Sequence, residues 1–182
     1  MKRHILTGAP GAGKTMILRA LERRGYAVVE EAASDVCALA QATGDAEPWA
    51  SPRFIDDIVE LQRRRQEQAA ASPGSIQIFD RSPVCTLALA RFLGFPVSDA
   101  LARELRRIGR EAVYEGRVVF VESLSFITHT DVRRIGLEEA RRFGEAHEAT
   151  YRELGYDLIR ISPGSVGDRA DAVARSIESW GA

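Results

Sequence analysis

Gly8-Ala9-Pro10-Gly11-Ala12-Gly13-Lys14-Thr15 is the stretch on which the reading of this sequence turns. It fits the pattern G-x-x-x-x-G-K-[ST], and its surroundings suit that pattern. An apolar run, His4 to Thr7, precedes it, and an amphipathic stretch, about Lys14 to Arg24, follows it. Glycines in such a turn allow backbone angles that point successive N–H groups inward. At a helix N-terminus those amides form a nest for an anion. The pattern predicts that Lys14 bridges the β- and γ-phosphates of ATP while the Thr15 hydroxyl binds Mg²⁺. The expected phosphate-contacting run is Gly8, Ala9, Pro10, Gly11, Ala12, Gly13, Lys14, Thr15 and Met16.

The lysine itself carries information. Of 25 basic residues only Lys2 and Lys14 are lysines, and the other 23 are arginines. A chain that uses arginine nearly everywhere keeps a lysine where a compact point charge is needed inside a tight backbone cradle. The formal net charge of -1 gives no electrostatic footprint for nucleic acid or an anionic membrane. No run approaches the roughly 18 apolar residues of a membrane span, and the start, Met-Lys-Arg-His, enters an apolar strand too soon for a signal segment. A soluble, cytoplasmic protein is expected, a monomer or homodimer, with no nucleic-acid or membrane partner. Cys37 and Cys85 have no metal-ligand spacing and read as reduced, buried thiols.

Outward from the glycine-rich turn, short apolar runs alternate with longer amphipathic ones. That alternation predicts an α/β fold, a three-layer α/β/α sandwich on a five-stranded, mainly parallel sheet, as one domain over residues 1–182. Strands are expected at His4–Thr7, Ala27–Glu30, Ile76–Phe79, Val118–Val121 and Leu158–Ile161. Helices are expected over about Lys14–Arg24, from a Ser34 cap to Thr43, and over Pro52–Ala71, Val84–Leu93 and Ser98–Tyr114. Two more follow at Leu137–Leu154 and Val166–Trp180. Residues about 123–136 are polar and weakly patterned, a candidate lid.

In a parallel sheet the carboxyl ends of the strands face the ligand crevice. Ile76-Gln77-Ile78-Phe79-Asp80 therefore delivers Asp80 to the phosphates, where it can hold Mg²⁺ directly or through water; a turn or capping role is its other reading. Arg81 reads as a phosphate or substrate contact. Glu30 and Glu31 close the second strand, and at least one should point into the same crevice. Arg133 and Arg134, in the lid, either close over the γ-phosphate or form a solvated basic turn. Arg103, Arg106, Arg107 and Arg110 read as a solvated face, and so do Arg63, Arg64 and Arg65. Trp49, Arg53, Phe54 and Gln62 either line an acceptor pocket or, for Phe54, pack in the core. His129 is given no role.

Together these segments resemble the P-loop nucleoside and nucleotide kinases. In particular they resemble the AAA-type ATPase/kinase domain family that is similar to the kinase domain of ribosylnicotinamide kinases. Four segments carry the resemblance: the P-loop, Tyr26-Ala27-Val28-Val29-Glu30-Glu31-Ala32-Ala33, Phe79-Asp80-Arg81-Ser82, and the Asp131-Val132-Arg133 lid before Glu138-Glu139-Ala140. Asp80-Arg81-Ser82 is similar to the Asp/Glu-Arg-Ser signature of deoxynucleoside kinases, in which the acid serves metal or acceptor and the arginine serves phosphate. The resemblance favours Glu31 over Glu30 as the group orienting an acceptor hydroxyl. It also places an adenine-side loop from Leu154 through Pro163, with Arg169 beyond. Ser34 stands about where that family commonly has an arginine, and no glycine stands beside Asp131.

The expected activity is phosphoryl transfer from Mg-ATP to a small-molecule hydroxyl or phosphate, with a nucleoside-like acceptor. Lys14, Glu31, Asp80, Arg81, Arg133 and Arg134 are the expected catalytic residues, and Thr15 and Asp80 the metal ligands. The rival expectation is a regulatory switch that binds and slowly hydrolyses ATP with no small acceptor.

Overall fold

The computed structural model describes residues 1–71, 75–123 and 137–180. Residues 124–136 of the expected lid, with His129, Asp131, Arg133 and Arg134, lie outside the described residues.

Five strands, β1 (Lys2–Gly8), β2 (Ala27–Val29), β3 (Ile76–Asp80), β4 (Arg117–Val121) and β5 (Asp157–Ile161), form one sheet in the order β2-β3-β1-β4-β5. All the pairings among the described residues are parallel, so the sheet is wholly rather than mainly parallel. Its central strands read as unbroken apolar runs because both faces are covered. Leu6, Ile78, Val119 and Ile161 face α1 (Lys14–Glu22) and α7 (Val166–Glu178), where Ile17, Leu21, Val173 and Ile177 complete one half of the core. Ile5, Phe79 and Val118 face the other way. There α4 (Pro83–Phe92), α5 (Asp99–Arg110) and α6 (Leu137–Glu153) supply Val84, Ile108 and Tyr151. The period-two alternation along each strand thus divides the core into two halves, giving the expected three layers.

The remaining helices, α2 (Ala32–Ala42) and α3 (Arg53–Ala69), pack on each other through Ala32, Phe54 and Ile58. The sequence reading misplaces the start of α2. Ser34 does not cap it: the N-cap lies three residues earlier, at Glu31, and the Ser34 hydroxyl donates to Glu31 Oε2 at 2.9 Å. β2 ends at Val29, so the chain turns from strand to helix through Glu30 and Glu31 alone. α5 stops at Arg110 rather than Tyr114, because Ala112 takes a left-handed φ of 44° and turns the chain toward β4. The caps at Ser98 and Ser165 each accept from a main-chain N–H of the following turn.

Two glycines shape the mouth of the sheet. Gly8 has φ 140°, and a Cβ there would lie 2.2 Å from the Val121 carbonyl oxygen, so β1 and β4 can approach only over a glycine. Gly13 has φ 82° and opens α1. Among the described residues no helix is long and apolar enough to cross a membrane. Both cysteines are free thiols; Cys85 is buried as expected, and Cys37 is half-buried on the surface helix α2.

Candidate active site

Strand order determines where the chemistry gathers. β1, β2 and β3 end side by side, and their C-terminal residues deliver the glycine-rich loop, Glu31 and Asp80-Arg81 to one cleft of about 210 Å³. Lys14, Thr15, Glu31, Asp80 and Arg81 all line it. A groove of about 560 Å³ between α2 and α3 is larger, but it holds none of these groups. Arg53 and Phe54 belong to that groove and to the α2–α3 contact, and Trp49 packs against the same cluster. Of the four acceptor-pocket candidates, only Gln62 lines the cleft.

Lys14 is buried, and its Nζ donates to the carbonyls of Gly8 at 3.2 Å and Ala9 at 3.0 Å. Its ammonium is thus folded back along its own loop. Burial, and then the neighbouring Arg81 charge, lower its pKa to about 8, while Asp80 and Glu31 oppose that shift. A bound polyphosphate would supply the missing counter-charge. Thr15 follows at the first turn of α1, and Met16, next along, is exposed.

Asp80 closes β3 as a buried carboxylate whose Oδ1 accepts no hydrogen bond among the described residues. Burial raises its pKa to about 6; Lys14 opposes the shift and Glu31 adds to it. An orphaned, acceptor-only oxygen in a cleft shared with the Thr15 hydroxyl is the donor chemistry that suits Mg²⁺, and the site therefore fits a divalent cation.

Glu30 and Glu31 separate cleanly. Glu30 faces outward and pairs with Arg19 at 2.5 Å. Glu31 turns into the cleft, where Arg81 Nε approaches its Oε1 to 2.5 Å. The two opposite charges thus form an ion pair inside the cleft. Burial alone would raise the Glu31 pKa, but Arg81, Lys14 and the Ser34 hydroxyl outweigh it and hold the carboxyl down to about 2. Arg81 stands at φ 71°, an uncommon conformation for a residue with a side chain, and its N–H donates to the Leu6 carbonyl at 3.0 Å.

Several contributors escaped the sequence reading. His147 and Phe143, one turn apart on α6, line the cleft opposite the loop, and His147 Nε2 lies 2.9 Å from Arg81 Nη1. Burial, with the Arg81 charge next, lowers the His147 pKa to about 3. Thr86 of α4 donates to Gln62 Oε1 at 2.9 Å, joining two helices across the cleft floor. Arg65 is not a solvated member of its triplet: its Nη1 donates to the carbonyls of Glu30 at 3.0 Å and Glu31 at 2.6 Å, and it pairs with Asp35. Spacing carried a signal here, since Ile58, Leu61 and Arg65 fall on one helical face. Arg107 likewise leaves the solvated stripe, pairing with buried Glu104 at 2.7 Å and reaching Gln66 at 2.6 Å. Arg169 is buried, with Nη1 on the Ala12 carbonyl and Nη2 on the Glu122 carbonyl, each at 2.8 Å.

A parallel sheet with a glycine-rich phosphate nest at its carboxyl edge defines a P-loop α/β protein. Residues 3–169 match the model of a family described as AAA domain, and the chain belongs to that family. A search of curated sequences finds no match. Among solved structures, the deoxyadenosine kinase of M. mycoides with dCMP and dCDP is 12% identical, with a TM-score of 0.62 over 97% of this chain and 99% of that one. NadR protein in complex with NR is 16% identical, with a TM-score of 0.70 over 96% of this chain and 51% of NadR. NadR in complex with NAD and AMP-PNP is 19% identical, with a TM-score of 0.67. The chain thus shares the fold of P-loop kinases and spans about half the length of NadR.

Proposed function

We propose that this protein transfers the γ-phosphoryl group of Mg-ATP to the hydroxyl of a small, nucleoside-like acceptor. One observation carries the reading: the P-loop lysine, an unsatisfied buried aspartate, and an arginine–glutamate pair converge on one cleft. A phosphate-binding loop alone would serve any nucleotide-binding switch. A carboxylate held opposite it, facing an open space with amide and hydroxyl groups on its floor, suits an acceptor.

The proposed roles follow from the chemistry of each group. The loop amides and Lys14 bind the phosphates, and Lys14 exchanges its carbonyl partners for phosphate oxygens. Thr15 and Asp80 hold the Mg²⁺, which neutralises charge on the phosphate oxygens when bound. Glu31 accepts a hydrogen bond from the acceptor hydroxyl and aims its oxygen at phosphorus. The new bond joins that oxygen to the γ-phosphorus as the bond to the β,γ-bridging oxygen breaks, and the electron pair leaves with ADP. The hydroxyl proton departs by way of Glu31 to solvent. A carboxyl held near pKa 2 is a weak base, so its contribution is orientation rather than early proton removal. That suffices for a loose transition state, in which positioning and charge stabilisation dominate. The deoxyadenosine kinase and NadR likenesses support the nucleoside-like class of acceptor.

The test is Mg-ATP turnover by the purified protein against nucleosides, nucleotides and sugars, with Lys14→Ala as the blank. Acceptor-dependent ADP release with a new phosphorylated product is expected. Slow, acceptor-independent hydrolysis that Lys14→Ala abolishes would replace this reading with the ATP switch.

A further inference from the structure

The imidazole of His147 is fully buried, yet both its nitrogens are committed. Nδ1 lies 2.8 Å from the Phe143 carbonyl, one turn earlier in α6. A carbonyl only accepts, so Nδ1 carries the proton and Nε2 keeps its lone pair. That lone pair lies 2.9 Å from Nη1 of Arg81, and a guanidinium only donates. The partners on the two sides therefore agree on one neutral tautomer. An apolar side chain would fill the same space without meeting either demand.

Arg81 needs such a partner. Its guanidinium is taken from water, with Nε against the Glu31 carboxylate at 2.5 Å and Nη1 against His147. Nη2 makes no hydrogen bond among the described residues, which leaves its hydrogens to a ligand oxygen. Glu31 alone would let the planar group pivot about a single contact. A second contact on Nη1 fixes the plane, and the plane decides where the remaining N–H groups point.

We infer that His147 is a positioning residue, whose Nε2 holds the Arg81 guanidinium so that it aims its free N–H groups at the transferring phosphoryl group and keeps Glu31 turned to the acceptor. This rests on the phosphoryl-transfer reading above. It also makes α6 part of the machinery, coupling that helix to the strand-three signature through one imidazole. A packing role would place no demand on the tautomer or on a lone pair at Nε2.

His147→Phe keeps the ring and removes the acceptor, and His147→Gln restores an amide oxygen near the Nε2 position. With the acceptor found by the panel, His147→Phe is expected to lower kcat about 10- to 100-fold, the loss of one hydrogen bond to a charged group. Its dissociation constant for ADP should stay at the wild-type value, since the loop contacts are intact. His147→Gln should recover most of the loss. In an Arg81→Ala background His147→Phe should cost nothing further, because the two act through one contact. Wild-type turnover by His147→Phe, or full additivity with Arg81→Ala, would overturn the role. Should His147→Phe fail to fold, ¹⁵N NMR of the wild-type imidazole at pH 7 decides: a proton on Nδ1 and a bare Nε2 support the role, and a proton on Nε2 overturns it. A wild-type protein that phosphorylates no acceptor overturns the kinase reading and this role with it. A turning-over enzyme with Nε2 protonated overturns this role alone.

Discussion

Individual side chains in this protein are held at charge states that their surroundings enforce, and the consequences can be measured one residue at a time. Glu31 is kept ionised by Arg81 and Lys14, so its proposed task is to hold the acceptor rather than the nucleotide. Glu31→Gln should therefore lower kcat by roughly 10- to 100-fold, the worth of a hydrogen bond to a charged group, and leave ADP affinity unchanged in calorimetry. His4 offers a test of the opposite kind, on stability. It is fully buried on β1, both ring nitrogens lack hydrogen-bond partners among the described residues, and its ring centroid lies 5.0 Å from that of Trp180. An unsatisfied buried polar group costs about 1–3 kcal/mol, more than the 0.5–1.5 kcal/mol an aromatic pair returns. His4→Leu should thus raise stability at pH 7 by about 1 kcal/mol in urea unfolding. Burial, with Lys2 nearby, lowers the His4 pKa from 6.5 to about 4. Between those values the unfolded chain binds the proton and the folded one does not. Wild-type stability is therefore lost as pH falls from 6.5 toward 4, and His4→Leu escapes that loss. The gap between the two proteins should widen by about 2 kcal/mol from pH 7 to pH 5; a constant gap would show that His4 finds a partner in solution.

At the scale of elements, the junction between β2 and α2 sets where Glu31, the proposed acceptor-side group, stands. Only two residues separate the strand from the helix, and both main-chain carbonyls accept from Arg65 of α3. α3 thereby braces the turn that carries Glu31. Arg65→Met keeps the stem packed and removes the donors, and it should lower acceptor turnover about 5- to 10-fold, the worth of a hydrogen bond of about 1–1.5 kcal/mol, with ADP binding intact. Steady-state kinetics set beside ADP titration would separate that outcome from general destabilisation. The same junction shows where the sequence was legible and where it was not. The strands of β1, β3 and β4 and the loop after β1 could be read directly, because strands buried on both faces are unbroken apolar runs and the loop has a pattern of its own. Asp80 and Arg81 were legible because a strand end in a parallel sheet has a known address. Arg65 and His147 were not. Each makes its contact with a residue far along the chain, and local periodicity reports which face of a helix is apolar, not which polar atom waits across the gap. Ser34 misled for a related reason. A serine before a helical stretch looks like a cap, whereas here its hydroxyl serves the Glu31 carboxylate.

Across the whole molecule, a buried guanidinium ties the glycine-rich loop after β1 to the end of the neighbouring strand β4. Arg169 of α7 reaches the Ala12 carbonyl in the phosphate loop and the Glu122 carbonyl just beyond β4. Burial lowers its pKa, with Glu122 opposing the shift, so the contacts must compensate for a charge taken from water. Gly13 fits beneath it, since a Cβ there would come within 3.2 Å of Nη1. The clamp therefore joins the loop that would hold phosphate to the strand whose end closes the other side of the crevice. Arg169→Leu would strand two carbonyls and open the loop, and the two effects are separable. Without nucleotide, the loss should be about 2–4 kcal/mol, which for a chain of this size lowers Tm by roughly 5–15 °C. Saturating ADP at 100 times its Kd stabilises the wild type by about 2.7 kcal/mol, and a variant with a tenfold weaker site gains about 1.4 kcal/mol at the same concentration. If the clamp presets the loop for phosphate, Arg169→Leu should show both the lower Tm and a halved ADP increment in thermal unfolding. A lower Tm with the full ADP increment would instead make Arg169 a brace of the fold alone, with the loop amides finding their phosphate geometry unaided.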